Sequence, residues 1–94
     1  MLVLARGLMA CPDLLLLDEP TLGLSPAMTR GIFETLARLA AEGLTILLAE
    51  QDVRRALELA ETAYVVENGR VTLSGPGRDL VRDGRVRAAY LGLP

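Results

Sequence analysis

Four consecutive leucines, Leu14 to Leu17, run straight into Asp18-Glu19-Pro20. A short segment that is apolar at every position, not at alternate ones, is the pattern of a strand covered on both faces, as in parallel α/β sheets. Two carboxylates at the end of such a strand emerge at the carboxyl edge of the sheet, where α/β folds bind their ligands. The chain is therefore expected to form an α/β fold with an acidic pair on its ligand-binding rim. A nucleotide-bound Mg²⁺ would be held there.

The rest of the chain supplies what a parallel sheet needs. Thr21-Leu22-Gly23-Leu24 reads as a loop, Ser25 as a helix N-cap, and Pro26 as a first helical residue, where its missing N–H costs nothing. A helix should run to about Ala41, with Ile32, Phe33, Leu36, Leu39 and Ala40 as its apolar face, an exposed Glu34–Arg38 pair, and Gly43 as its stop. Leu44 to Ala49 reads as a second strand buried on both faces, and Val53, Ala56, Leu57 and Ala60 form one stripe of a shorter helix. Strand, helix, strand, helix implies parallel pairing.

The pattern then changes. Ala63 to Glu67 and Arg70 to Ser74 flank Asn68-Gly69, a pair that favours a two-residue hairpin turn because both positions need positive φ. Gly75-Pro76-Gly77 should break the chain, with short helices over Arg78 to Val81 and Arg85 to Leu91. At the other end Leu2, Ala5, Leu8 and Met9 recur at helical spacing up to Cys11-Pro12-Asp13, but no capping residue precedes Met1. The missing cap leads to the expectation that the chain enters in mid-helix, with Met1 an internal methionine or a late start codon, and that the sequence is a fragment.

Composition narrows the partners. The net charge is −2, and all ten basic residues are arginines scattered among twelve acids, so no basic stripe marks a nucleic-acid face. The single cysteine, Cys11, and the absence of histidine leave neither an internal disulfide nor a zinc set, which fits a reducing compartment. No apolar run approaches the roughly 18 residues that span a bilayer. The first residues also lack the basic-then-apolar order of a secretory signal.

Three residues are candidates for chemistry. Mg²⁺ keeps most of its waters and binds one or two carboxylates together with substrate phosphates, a role that suits Asp18. Glu19, diverging from Asp18, would orient or deprotonate an attacking water. Taken alone, an Asp-Glu pair is more often two solvated acids. Gln51, just after the second predicted strand, is expected at the same sheet edge as Glu19. Its neutral amide can donate to a phosphate oxygen and accept from a water.

With these residues in view, Leu14 to Thr21 resembles the Walker B segment of ABC-type ATPases, followed by a D-loop at Leu22, Gly23, Leu24 and Ser25. Leu47 to Asp52 falls where that family's switch loop follows its strand. Most members have histidine there; Gln51 is similar to the ATP-binding subunits of branched-chain amino-acid importers, the LivF type in particular. Glu67-Asn68-Gly69-Arg70-Val71, Leu73-Ser74-Gly75 and Ala89-Tyr90-Leu91-Gly92 resemble the same subfamily's C-terminal run. The resemblance implies the C-terminal part of a P-loop NTPase domain with ATP and Mg²⁺ as ligands. Asp18 would be the magnesium-side carboxylate, Glu19 the catalytic carboxylate, Gln51 the γ-phosphate sensor, and Leu22 to Ser25 the loop that crosses to a second ATP-binding subunit. Many relatives have aspartate at the position of Ser25, so communication between two nucleotide sites would differ here.

The same resemblance implies a cytoplasmic ATPase subunit, peripheral on the inner membrane face through a permease, that energises uptake of branched-chain amino acids without touching the solute. An extracytoplasmic binding protein would be a further, indirect partner. Neither the phosphate-binding G-x-x-x-x-G-K-[ST] pattern nor the family's Ser-Gly-Gly signature occurs in these 94 residues. The chain alone is therefore expected neither to bind ATP appreciably nor to hydrolyse it. Two alternatives remain open: a non-catalytic module that docks on an intact ATPase subunit, and a DNA-maintenance ATPase of the same superfamily. The second lacks support from any basic face or coiled-coil arm.

Overall fold

The computed structural model describes residues 13–92. The helix expected over Leu2 to Met9, with Cys11, lies outside the described residues. Two compact units divide the chain after Glu50, and each is described by itself.

The first unit contains strand β1 (Leu14–Asp18), helix α1 (Pro26–Ala41) and strand β2 (Thr45–Ala49). β1 and β2 pair parallel, with Leu14 opposite Thr45 and Asp18 opposite Ala49. Ser25 caps α1 as expected: its backbone is extended and its hydroxyl accepts from the Met28 N–H at 3.3 Å, with Pro26 following. At the other end the Leu44 N–H donates to the Leu39 carbonyl at 3.1 Å and the Gly43 N–H to that of Ala40 at 3.0 Å. Those two bonds satisfy carbonyls that a helix end leaves free, and Gly43 supplies the left-handed residue the motif requires (φ +104°).

α1 packs against β2 and buries Thr29, Ile32, Phe33 and Leu36, the last completely. Ala40 is exposed, so the apolar stripe is narrower than its spacing implies. Glu34 and Arg38 are both exposed and do not form the expected ion pair; among the described residues the i,i+4 pair is Arg54–Glu58, at 3.9 Å.

The expectation of strands buried on both faces is corrected. Leu15 is buried, whereas Leu16 and its register partner Leu47 are each 63% exposed and Leu14 is also exposed. Side chains alternate between the faces of a strand. Leu15 and Leu17 share the covered face of this two-stranded sheet, and Leu14, Leu16 and Leu47 share the open one.

The second unit holds helix α2 (Val53–Leu59), strands β3 (Thr62–Glu67) and β4 (Arg70–Pro76), and helices α3 (Gly77–Leu80) and α4 (Gly84–Tyr90). β3 and β4 form an antiparallel hairpin about Asn68-Gly69, at φ +51° and +75° as the sequence requires. A bulge between Val65 and Val66 leaves Thr72 unpaired, and its hydroxyl donates to the Val65 carbonyl at 3.3 Å.

Gly75-Pro76 does not break the chain: β4 continues through it, with Gly75 opposite Ala63 and Pro76 opposite Thr62. At the end of a two-stranded ladder, proline's missing N–H sacrifices no interior hydrogen bond. Leu57, Leu80 and Val86 form the core of this unit, packed by Val53, Ala63, Leu73, Val81 and Leu91. Gly77 is buried, and a Cβ there would run into the carbonyl oxygens of Leu57 and Ala60. The Tyr90 hydroxyl donates to the Glu67 carboxylate, tying α4 to the hairpin.

Candidate active site

The parallel register of β1 and β2 brings both strand ends to one edge of the first unit. Asp18, exposed, ends β1 opposite Ala49, and Glu19, half-buried, follows it. The backbone turns sharply here. Glu19 has φ +46°, in the left-handed region that non-glycine residues enter at a cost of about 1–3 kcal/mol. Its N–H donates to the Ala49 carbonyl at 2.7 Å and its carbonyl accepts from Leu22 at 3.1 Å, so both peptide groups flanking its side chain are fixed. A further turn closes from the Leu24 N–H to the Thr21 carbonyl at 3.0 Å.

The loop Leu22 to Ser25 thus leaves the strand as two successive turns. Leu22 is 70% exposed, Gly23 and Ser25 are exposed, and Leu24 is half-buried before the α1 cap. Gln51 is exposed and opens the second unit, two residues after Ala49. Asp52, next to it, caps α2 by accepting from the Arg55 N–H at 3.3 Å.

One contact escaped the sequence. Thr21, 7% exposed, donates its hydroxyl to the Glu50 carboxylate at 2.9 Å, joining the segment after β1 to the residue after β2. The register places polar residues after the ends of both strands, but nothing in the sequence pairs Thr21 with Glu50, and neither residue belongs to a pattern that asks for a partner.

As a donor set the rim suits a hard cation bound with a nucleotide. Asp18 offers an exposed carboxylate, and Glu19 offers a second held by a fixed backbone. Among the described residues no three or more Cys, Asp or Glu side chains gather in a metal-holding group. The oxygen chemistry fits a magnesium ion that takes its other ligands from phosphates and water. No described helix is long and apolar enough to cross a membrane.

Parallel β1 and β2 with α1 between them in sequence, followed by a hairpin and short helices, form a mixed α/β arrangement that matches part of the fold of ABC-transporter ATP-binding cassettes. A crystal structure of such a cassette in its ADP conformation superposes on 95% of this chain with a TM-score of 0.75 and 29% identity, and 37% of that chain is covered. Among sequences, the chain is 50% identical over 92 residues to the high-affinity branched-chain amino-acid transport ATP-binding protein BraG of Pseudomonas aeruginosa, covering 98% of this chain and 40% of that protein.

It is 38% identical to the probable branched-chain amino-acid transport ATP-binding protein LivF of Archaeoglobus fulgidus (99% and 40% covered), and 36% identical to the lipopolysaccharide export ATP-binding protein LptB of Acidithiobacillus ferridurans (95% and 37%). No family model matches the chain. The chain is homologous to the ATP-binding subunits of ABC transporters and spans about two-fifths of the length of these curated relatives.

Proposed function

We propose that the chain is the C-terminal portion of an ATP-hydrolysing subunit that energises an ABC importer for branched-chain amino acids. The observation that carries this reading is the acidic exit of β1: an exposed Asp18 at the strand end, then Glu19 held in a left-handed turn, in a chain homologous to ATP-binding subunits. The identity to BraG, 50% against 36% for LptB, favours amino-acid import over lipopolysaccharide export.

In this reading Asp18 holds the magnesium side of Mg·ATP, and the bound ion supplies charge neutralisation at the phosphates. Glu19 orients the attacking water and accepts its proton. Gln51 keeps the γ-phosphate-sensing role that the resemblance implies, with an amide that remains neutral throughout the working pH range. The loop Leu22-Gly23-Leu24-Ser25, exposed at Leu22, Gly23 and Ser25, contacts a second ATP-binding subunit. The full-length subunit sits on the cytoplasmic membrane face through its permease and never meets the solute.

Uptake of labelled leucine tests the reading. Cells lacking the gene should take up leucine more slowly and recover with the wild-type gene but not with Glu19→Gln. Unchanged leucine uptake in the deletion strain contradicts the assignment.

A further inference from the structure

We infer that Thr21 and Glu50 form a latch that positions Glu19 for catalysis, an inference that rests on the ATPase reading above. A left-handed non-glycine residue persists only where its surroundings over-determine it. At Glu19 the restraints lie on both sides. Its own N–H is tied to the Ala49 carbonyl at 2.7 Å and its carbonyl to Leu22 at 3.1 Å, both through backbone alone. The side-chain restraint comes two residues later, where the Thr21 hydroxyl donates to the Glu50 carboxylate at 2.9 Å.

Thr21 is 7% exposed and lies where the two turns that end at Leu22 and Leu24 overlap. Glu50 directly follows Ala49, the residue that accepts from Glu19. The latch therefore fastens the loop to the residue that directly follows the β2 carbonyl holding the Glu19 backbone. A hydrogen bond to a charged acceptor is stronger than a neutral one, which suits it to hold a strained turn. Released, the Glu19 backbone relaxes toward ordinary φ, and its carboxylate leaves the position from which it would reach a water. Misplacement of a catalytic group by about an ångström is enough to slow turnover markedly.

Neither Thr21 nor Glu50 is assigned contact with the nucleotide. Both are positioning residues, and their loss should lower kcat while leaving KM for ATP unchanged. The test is steady-state ATP turnover by the full-length subunit with Thr21→Val, which keeps the side-chain shape and removes the hydroxyl, and with Thr21→Ser, which keeps the hydroxyl. The expected result is a roughly tenfold fall in kcat for Thr21→Val at unchanged KM, with Thr21→Ser close to wild type. Wild-type kcat in Thr21→Val, or equal losses in both variants, overturns the latch, the second because packing and not the hydroxyl would then matter.

If Thr21→Val does not fold, Glu50→Ala removes the acceptor from the other side. A fall in its kcat at unchanged KM supports the latch, and wild-type turnover overturns it. Glu19→Gln in the same series separates the two levels. An inactive Glu19→Gln beside an active Thr21→Val retires the latch alone, whereas an active Glu19→Gln retires the ATPase roles themselves.

Discussion

Residues 13–50 and residues 51–92 each form a compact unit, yet they build their cores differently. In the first, the longest helix and one strand face bury Leu15, Ile32, Phe33 and Leu36, while Leu14, Leu16 and Leu47 stand open. In the second, Leu57, Leu80 and Val86 come from three short helices, close over the hairpin and leave a core shared by all its elements. Both units leave apolar side chains of their sheet open, Leu14, Leu16 and Leu47 in the first and Tyr64, Val66 and Val71 in the second. They differ in what closes the covered side, one long helix in the first and three short helices in the second, so perturbing either core should report on its own kind of stability.

Substitutions at four positions of the full-length polypeptide sharpen that contrast. The largest stability effect is expected at Leu36, completely buried in the first unit: Leu36→Ala should cost about 2–5 kcal/mol in chemical denaturation. A loss under about 1 kcal/mol would show that the first unit has no core of its own. Next comes Gly77→Ala in the second unit, where the new Cβ meets the Leu57 and Ala60 carbonyl oxygens; about 1–3 kcal/mol should be lost as α2 is pushed away.

Ser25→Ala removes the α1 cap and should cost about 1 kcal/mol, while Ser25→Asp should keep the cap. The smallest effect is expected at Asp83, which caps α4. The Arg85 guanidinium, hydrogen-bonded to Asp83 at 3.1 Å, holds its carboxyl below the ordinary value of 3.8. Because the folded value is the lower one, this stabilisation is present above the unfolded value and is lost as pH falls through the folded one. Wild type and Asp83→Asn should therefore differ most near neutrality and converge in acid. A gap that widens in acid contradicts this sign.

Much of the architecture is legible in the residues. Ser25-Pro26 and Gly43 mark both ends of α1, and Asn68-Gly69 marks the hairpin, because each depends on local chemistry that no distant contact can replace. What the sequence misjudges depends on neighbours. The run Leu14 to Leu17 states that apolar side chains leave both faces of β1, but not that both faces are covered. Gly75-Pro76 looks like a break, yet the end of a ladder tolerates proline and the pairing with Thr62 and Ala63 continues.

The rim divides in the same way. Strand order and parallel pairing place Asp18 and Glu19 at a carboxyl edge from pattern alone. The left-handed turn at Glu19 and the Thr21–Glu50 hydrogen bond are not legible, since one is a strained backbone at an ordinary residue and the other joins positions that become neighbours only in register.

Single-turnover and steady-state ATP hydrolysis by the full-length subunit, measured beside nucleotide binding for wild type and Glu19→Gln, tests the central claim most directly. Binding should stay within a fewfold of wild type while turnover falls about a hundredfold or more, as loss of a general base requires. Hydrolysis at the wild-type rate in Glu19→Gln would contradict the account, because the acidic exit of β1 would then not be where the water is activated.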